Sequence, residues 1–371
     1  MLEKYIIKDG KKLRYGYTTG SCAAGAAKAA AKMLFFQRTV DNIEIDTPKG
    51  WKLNLKVEEP SFDSDKAVCC IVKDGGDDPD ITNGLKIYAR IAKNSEGKIN
   101  ITGGIGIGVV TKPGLSVPVG EYAINPVPRE MITKEVRKVI PDKEGVDVKI
   151  YAPEGVEAAK KTFNGKLGIE GGISIIGTSG IVEPMSEEAL KSSLELELSM
   201  LKEQGVKRII FSPGNYGRDF GIDYGLDEKL IVKISNYVGF MIDKAVEYNM
   251  EEVLFIGHIG KLVKVAAGIF NTHSKIADGR LETLAANCAL LGASQELVKK
   301  IMESNTTEEA VDYISADNMD KVFDFIAQKI SKKCEERSYG RIKFGTLIFS
   351  LNHGMLGVCD KGLKMLEEFK I

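Results

Sequence analysis

The sequence has only three histidines and one tryptophan, and its six cysteines (Cys22, Cys69, Cys70, Cys288, Cys334, Cys359) form no C-x-x-C pair. Ligands so scattered offer no zinc-like spacing, so no metal site is expected and the thiols read as buried and reduced. Neither charge sign is in excess, 51 Lys and Arg facing 52 Asp and Glu. Such a chain lacks the overall basic field that gathers nucleic acid. No apolar run approaches the roughly 20 residues that span a bilayer. The charged segment Met1–Lys12 lacks the apolar core of a signal peptide. The expectation is a cytoplasmic protein with neither nucleic acid nor membrane as partner; a homo-oligomer is left open.

What the sequence does have is glycine. Its 39 glycines exceed the usual share of about 7%, and they cluster. Clustered glycine marks backbone in unusual conformations or in close approach to something. The first expectation is therefore an enzyme whose site is assembled from glycine-rich turns.

At roughly 150 residues per domain, 371 residues suggest about two domains. Residues 1–143 show an alanine-rich helix (22–36), short strand-like runs at 43–46, 51–58, 67–73 and 85–92, and a short helix at 129–139. This predicts an α+β domain. From 144 to 371 strands alternate with helices: strands at 147–151, 173–176, 207–212, 252–256 and 346–350, and helices at 153–163, 186–204, 227–249 and 260–270. That rhythm predicts an α/β domain with a mainly parallel, Rossmann-like sheet and ligands at its strand ends.

Three turns after predicted strands carry small residues: Gly177-Thr178-Ser179-Gly180, Pro213-Gly214-Asn215 and Gly257-His258-Ile259-Gly260-Lys261. Three aligned turns of this kind leave a crevice where a ligand can approach the backbone. Tight connections without a ligand account for any one of them. Named phosphate motifs fail: Gly104, Gly106 and Gly108 alternate without completing G-x-G-x-x-G, and Gly260-Lys261 lacks the rest of a Walker loop. Thr18, Thr19, Gly20 and Ser21 lead into a helix with no acid in its first turns, which suits an anion; helix capping is the simpler reading. Asp74, Asp77, Asp78 and Asp80 lack calcium-loop spacing. His258 and His273, 15 residues apart, are no helical metal pair, and each reads equally as a hydrogen-bonded histidine.

Six stretches taken together resemble the CbiD family of anaerobic cobalamin biosynthesis: YGYTTGSCAAGAAKAA (15–30), DGGDDPDIT (74–82), GGIGIGVVTKPGL (103–115), AINPVPREMI (123–132), GGISIIGTSGIVEPMS (171–186) and GHIGKLVKVAAGIFNTHSKIADGRLE (257–282). The resemblance spans both expected domains; Gly25 departs from it, standing where the family has alanine. It implies methyl transfer from S-adenosylmethionine to C1 of cobalt-precorrin-5B, giving cobalt-precorrin-6A, with cobalt arriving inside the substrate. Under it, Thr18, Thr19, Ser21, Lys112, Asn125, Arg129, His258, Lys261 and Lys264 are candidates for binding the carboxylate-rich corrinoid. Asp74, Asp78 and His273 are candidates for polarising it or moving a proton. Fold logic places the methyl donor at Gly177, Thr178, Ser179, Gly180, Gly214 and Asn215. A tetrapyrrole carrier and a phosphoryl-transfer enzyme using Gly103–Gly108 are the alternatives.

Overall fold

Alanine is the strongest helix former, and the segment Thr19–Phe36 forms one 18-residue helix in the computed structural model, which describes residues 2–371. Ala23, Ala24, Ala26, Ala27, Ala29, Ala30 and Ala31 are all fully buried. A helix that is small and apolar all round is buried all round. One side lies on a sheet through Cys69, Ile71, Ile87, Ala89 and Ile91; the others lie under the hairpin Asn42–Asp46/Lys52–Lys56 and the helix Pro126–Arg137. The helix's first charge, Lys28, donates to the buried Glu135 carboxylate at 2.7 Å, so neither group is left unpaired.

That sheet runs in the order Glu58–Phe62, Lys66–Val72, Lys86–Asn94, Gly145–Tyr151, Ile99–Gly103. Its pairs are antiparallel except the last, which is parallel. The strand Gly145–Tyr151 was expected to open the second domain. It pairs instead along its whole length with Lys86–Asn94, from Gly145 against Asn94 to Tyr151 against Tyr88. Further on, Gly172–Ile173 pairs with Gly106–Ile107, and Ile181–Val182 with Gly16–Tyr17. These ladders hold residues 145–182 in the first unit. The compact units meet at Glu187/Glu188, and the expected boundary at 143/144 is corrected to that point.

The second unit, Glu188–Ile371, carries a mixed sheet in the order Ile231–Lys233, Arg208–Ser212, Glu252–His258, Lys343–Ser350, Gly354–Val358. The first four strands are parallel and the fifth is an antiparallel edge. Alternate residues feed two cores. Ile209, Phe211, Val253, Phe255, Phe344 and Ile348 point to one, and Ile210, Leu254, Ile256, Leu347 and Phe349 to the other. Burial on both faces is why these strands read as continuous apolar runs.

Two elements here escaped the sequence. The expected helix 227–249 is a 3-10 turn, the strand Ile231–Lys233 and a shorter helix, Val238–Glu247. The helix Asn215–Asp223 was hidden by Gly217 and Gly221, because glycine disfavours helix interiors. The structure needs glycine at the first: a Cβ on Gly217 would lie 2.5 Å from Ser212 Oγ and 3.0 Å from the Ile256 carbonyl oxygen.

The crossing at Gly106 is tighter still. Its φ is +78°, and a Cβ there would fall 1.6 Å from the Ala152 carbonyl oxygen. Gly50 has a similar φ of +80° but open space around it. Gly50→Ala should therefore cost only the strain of a left-handed residue, about 1–2 kcal/mol. Gly106→Ala should lower the urea midpoint far more or abolish soluble expression. Equal losses from the two variants would contradict this packing.

Candidate active site

The glycine-rich turns of the first unit close on one another. Thr18 N–H donates to the Gly180 carbonyl at 3.1 Å and Gly20 N–H to that of Ile176 at 3.0 Å. Thr18 Oγ1 caps the helix by accepting from Ser21 N–H at 3.2 Å, Ser21 Oγ donates to Gly180 O at 2.6 Å, and Thr19 Oγ1 accepts from Ile176 N–H at 2.9 Å. Thr19 is 2% exposed and Ser21 is fully buried. These three hydroxyls, expected to meet substrate, are spent on the fold. At the helix start the N–H groups of Thr18, Gly20, Ser21 and Cys22 all find partners within the chain.

The turn Gly177–Gly180 belongs to this knot in the first unit, not to a strand end of the parallel sheet. Gly177 has φ +132°, and a Cβ on it would lie 2.3 Å from Thr18 Oγ1. The outward side chains here are Ile176 and Thr178, both exposed. Asn125 joins the knot by donating its N–H to Ile175 O at 3.0 Å, while its side chain makes no capping bond. Gly103–Gly108 is likewise packed on protein. Gly108 N–H donates to Ile173 O at 2.9 Å, and Gly104 abuts Lys149 and Tyr151. A loop so filled has no room to cradle phosphates.

The acidic loop is a latch. Asp74 receives both Arg14 guanidinium N–H groups at 2.6 and 2.7 Å and also Gly76 N–H at 2.9 Å. The Arg14 bond holds its carboxyl below the usual carboxylate range. Asp77 accepts from Arg14 N–H and Asp78 from Met185 N–H, at 2.6 and 2.8 Å. Asp80 pairs with the buried Lys73. Burial alone would raise its pKa, yet Lys73 and Thr82 lower it. Arg129, expected to face substrate, donates to Ile124 O and Ile101 O at 2.9 and 3.1 Å. Lys112 is exposed and, among the described residues, has no ion-pair partner.

In the second unit the strand ends gather polar groups. His258 Nδ1 accepts from Gly260 N–H at 3.1 Å, which places the ring proton on Nε2, 2.6 Å from Glu308 Oε1. Glu308 Oε2 accepts from Ser350 Oγ at 2.6 Å. Both nitrogens of His258 are thus committed to the protein. One helix, Thr307–Ala316, supplies Glu308 to His258 and, one turn on, Asp312 to His353 at 2.7 Å. Sequence reasoning passed over Glu308, Asp312 and Ser350, because a carboxylate on an amphipathic helix carries no signal of the histidine it meets.

Beside them, Lys261 Nζ donates to Pro213 O at 3.3 Å, next to Gly214, and Lys233 Nζ donates to Asn215 Oδ1 at 2.8 Å. Lys264 is 2% exposed and donates to the carbonyls of Thr272 and Ala277 at 3.2 and 2.9 Å. It braces from below the loop that carries His273. That ring is exposed, and its Nδ1 accepts from Lys275 N–H at 3.2 Å, leaving Nε2–H as a donor. The nominated proton-handling groups therefore divide between units, Asp74 and Asp78 in the first and His273 in the second. All six cysteines are free and buried. Burial pushes Cys22 up to about 12 and Cys288 to about 11, so neither is a ready nucleophile. No cluster that could hold a metal occurs among the described residues, and no helix among them is long and apolar enough to cross a membrane.

The Arg14–Asp74 clasp gives a signed pH dependence. A carboxyl whose folded pKa is depressed stabilises above its unfolded value near 3.9, and the gain is lost as pH falls through the folded value. Asp74→Asn should cost about 1–2 kcal/mol at pH 7, and its gap from the parent should begin to narrow as pH falls below about 3.9. A gap that does not narrow at all in urea denaturation as pH is taken from about 5 towards 1 would rule out the ionised clasp. In the second unit, Lys264→Met should raise amide exchange at residues 272–278; unchanged exchange there would mean that the lysine braces nothing.

Comparison with known proteins bears on both units. The CbiD family model matches residues 6–184, and the model for the CbiD C-terminal domain matches 271–360. A cobalt-precorrin-5B C(1)-methyltransferase from Alkaliphilus metalliredigens is 58% identical over 370 residues, covering 100% of this chain and 98% of its own. One of the same name from a Thermoanaerobacter species is 55% identical, covering 96% and 98%. A crystal structure of a cobalamin biosynthesis protein (CbiD) from Archaeoglobus fulgidus is 28% identical, covering 74% of this chain and 87% of that one; its TM-score of 0.41 carries no fold argument. With more than half its residues shared end to end with such a relative, the chain belongs to the CbiD family.

Proposed function

We propose that this chain methylates C1 of cobalt-precorrin-5B, using S-adenosylmethionine as donor, to give cobalt-precorrin-6A. The carrying observation is the 58% identity to a relative of that name over 370 residues, which covers all of this chain and so both units. In the transfer, the S–CH3 bond breaks with its electron pair staying on sulfur, and an electron pair of the macrocycle forms the new C1–CH3 bond. No side-chain nucleophile is required. Holding donor and acceptor close and in line supplies up to about 7–11 kcal/mol in favourable cases.

The state of the side chains supports this reading. The thiols are buried, His258 is tied at both nitrogens, and Asp74 is neutralised by Arg14. Near the knot Ile176 and Thr178 are exposed, Lys112 is exposed, and the half-buried Asn125 side chain makes no capping bond; these groups suit an apolar macrocycle rimmed with carboxylates. We assign the acceptor to this unit and the donor to the strand ends of the second unit's Rossmann-like sheet, at Gly214 and Asn215. Gly177–Gly180 moves with its unit to the acceptor side. His273, exposed in the second unit with Nδ1 accepting from Lys275 N–H, is read as a hydrogen-bond donor rather than as a base.

Anaerobic incubation with cobalt-precorrin-5B and methyl-labelled S-adenosylmethionine should place a single label on C1. Label on another carbon, or corrinoid binding without donor binding as a carrier would show, would overturn the proposal.

A further inference from the structure

The carboxyl end of the strand Arg208–Ser212 holds positive charge that nothing in its unit answers. Lys261 and Lys233 converge on the turn Pro213-Gly214-Asn215 from two different elements, the helix Ile259–Ala266 and the strand Ile231–Lys233. Their ammonium groups meet only a backbone carbonyl and an amide oxygen. No described carboxylate lies within ion-pair distance of either. Elsewhere this chain pairs its lysines freely, as Lys244 does with Glu195 and Glu247. The half-buried Lys261 has its pKa lowered by burial and then by Lys233 and Lys264. A mutually repelling group of cations costs stability, and an entering anion relieves that cost.

Gly214 contributes space. A Cβ at this position would have Lys261 Nζ, at 4.0 Å, as its nearest neighbour, so the lysine stands over bare backbone. The helix that follows has no acid in its first turn and no side-chain cap, which adds backbone donors to a site the lysines define.

We infer that Lys233 and Lys261, across the Pro213–Asn215 turn, form a carboxylate-binding subsite of the second unit. The inference rests on the methyltransfer reading, which offers two sources of that chemistry: the amino-acid carboxylate of the donor, and the acetate and propionate groups of the acceptor. Lys264, tied to Thr272 and Ala277, keeps the field positive without touching the ligand.

The test is calorimetric titration of the full chain with three probes: S-adenosylhomocysteine, methylthioadenosine (which lacks the amino-acid end) and the octacarboxylate uroporphyrin. Loss of a charge-assisted contact weakens binding by about ten- to a hundredfold. If the donor's carboxylate sits here, Lys261→Met and Lys233→Met weaken S-adenosylhomocysteine by that factor and leave methylthioadenosine unchanged, and Lys261→Arg restores most of the loss. If an acceptor carboxylate sits here, the loss falls on uroporphyrin alone. Either outcome supports the subsite. Unchanged affinity for all probes in variants with parental thermal midpoints would overturn it. Methylation by the parent chain is scored separately, so loss of the subsite and loss of the proposed reaction are distinguishable.

Discussion

The first unit depends on a backbone clasp between segments some 160 residues apart. Thr18 N–H on Gly180 O and Gly20 N–H on Ile176 O tie the start of the alanine helix to the last strands of its unit. Around the clasp, glycine is a steric requirement. A Cβ on Gly16 would lie 2.2 Å from the Gly75 carbonyl carbon, and one on Gly76 2.3 Å from Arg14 O. Three glycine-rich motifs far apart in sequence are therefore one interlocked object, fastened at its edge by Arg14 and Asp74.

This changes what the glycines mean. A glycine-rich turn invites the reading that a ligand approaches the backbone there. In the first unit the approaching object is mostly the protein's own backbone, and the helix start and the Gly103–Gly108 turn are filled by chain. The second unit differs. At Gly214 the neighbouring cations find no anion within reach, so an open position exists where the sheet's parallel strands end. The glycines of one unit build the scaffold, and that of the other leaves space.

Much of this was legible in advance, for physical reasons. The alanine helix, the inert thiols and the apolar strands of the second sheet follow from composition and from burial on both faces. The domain boundary was missed because Gly145–Tyr151 followed by a short helix imitates the opening of a βαβ unit; only its long-range pairing with Lys86–Asn94 shows its true sheet. The helix Asn215–Asp223 was missed because close packing on Ser212 overrode propensity. At the site, residue types were found more readily than their roles. Thr18, Thr19, Ser21, Asp74, Arg129 and His258 were all picked out, yet each is held by a protein partner that sequence spacing does not reveal.

The first unit's glycine turns are closed by chain, while the turn at Gly214 stands open. Residue-resolved amide hydrogen exchange on the ligand-free chain tests this contrast most directly. Exchange should be slow at Thr18, Gly20 and Gly108, and fast at Asn215 and Tyr216 until S-adenosylhomocysteine is added, when it slows. Fast exchange at Gly20 and Gly108 in the free chain, with protection appearing only on ligand binding, would contradict it.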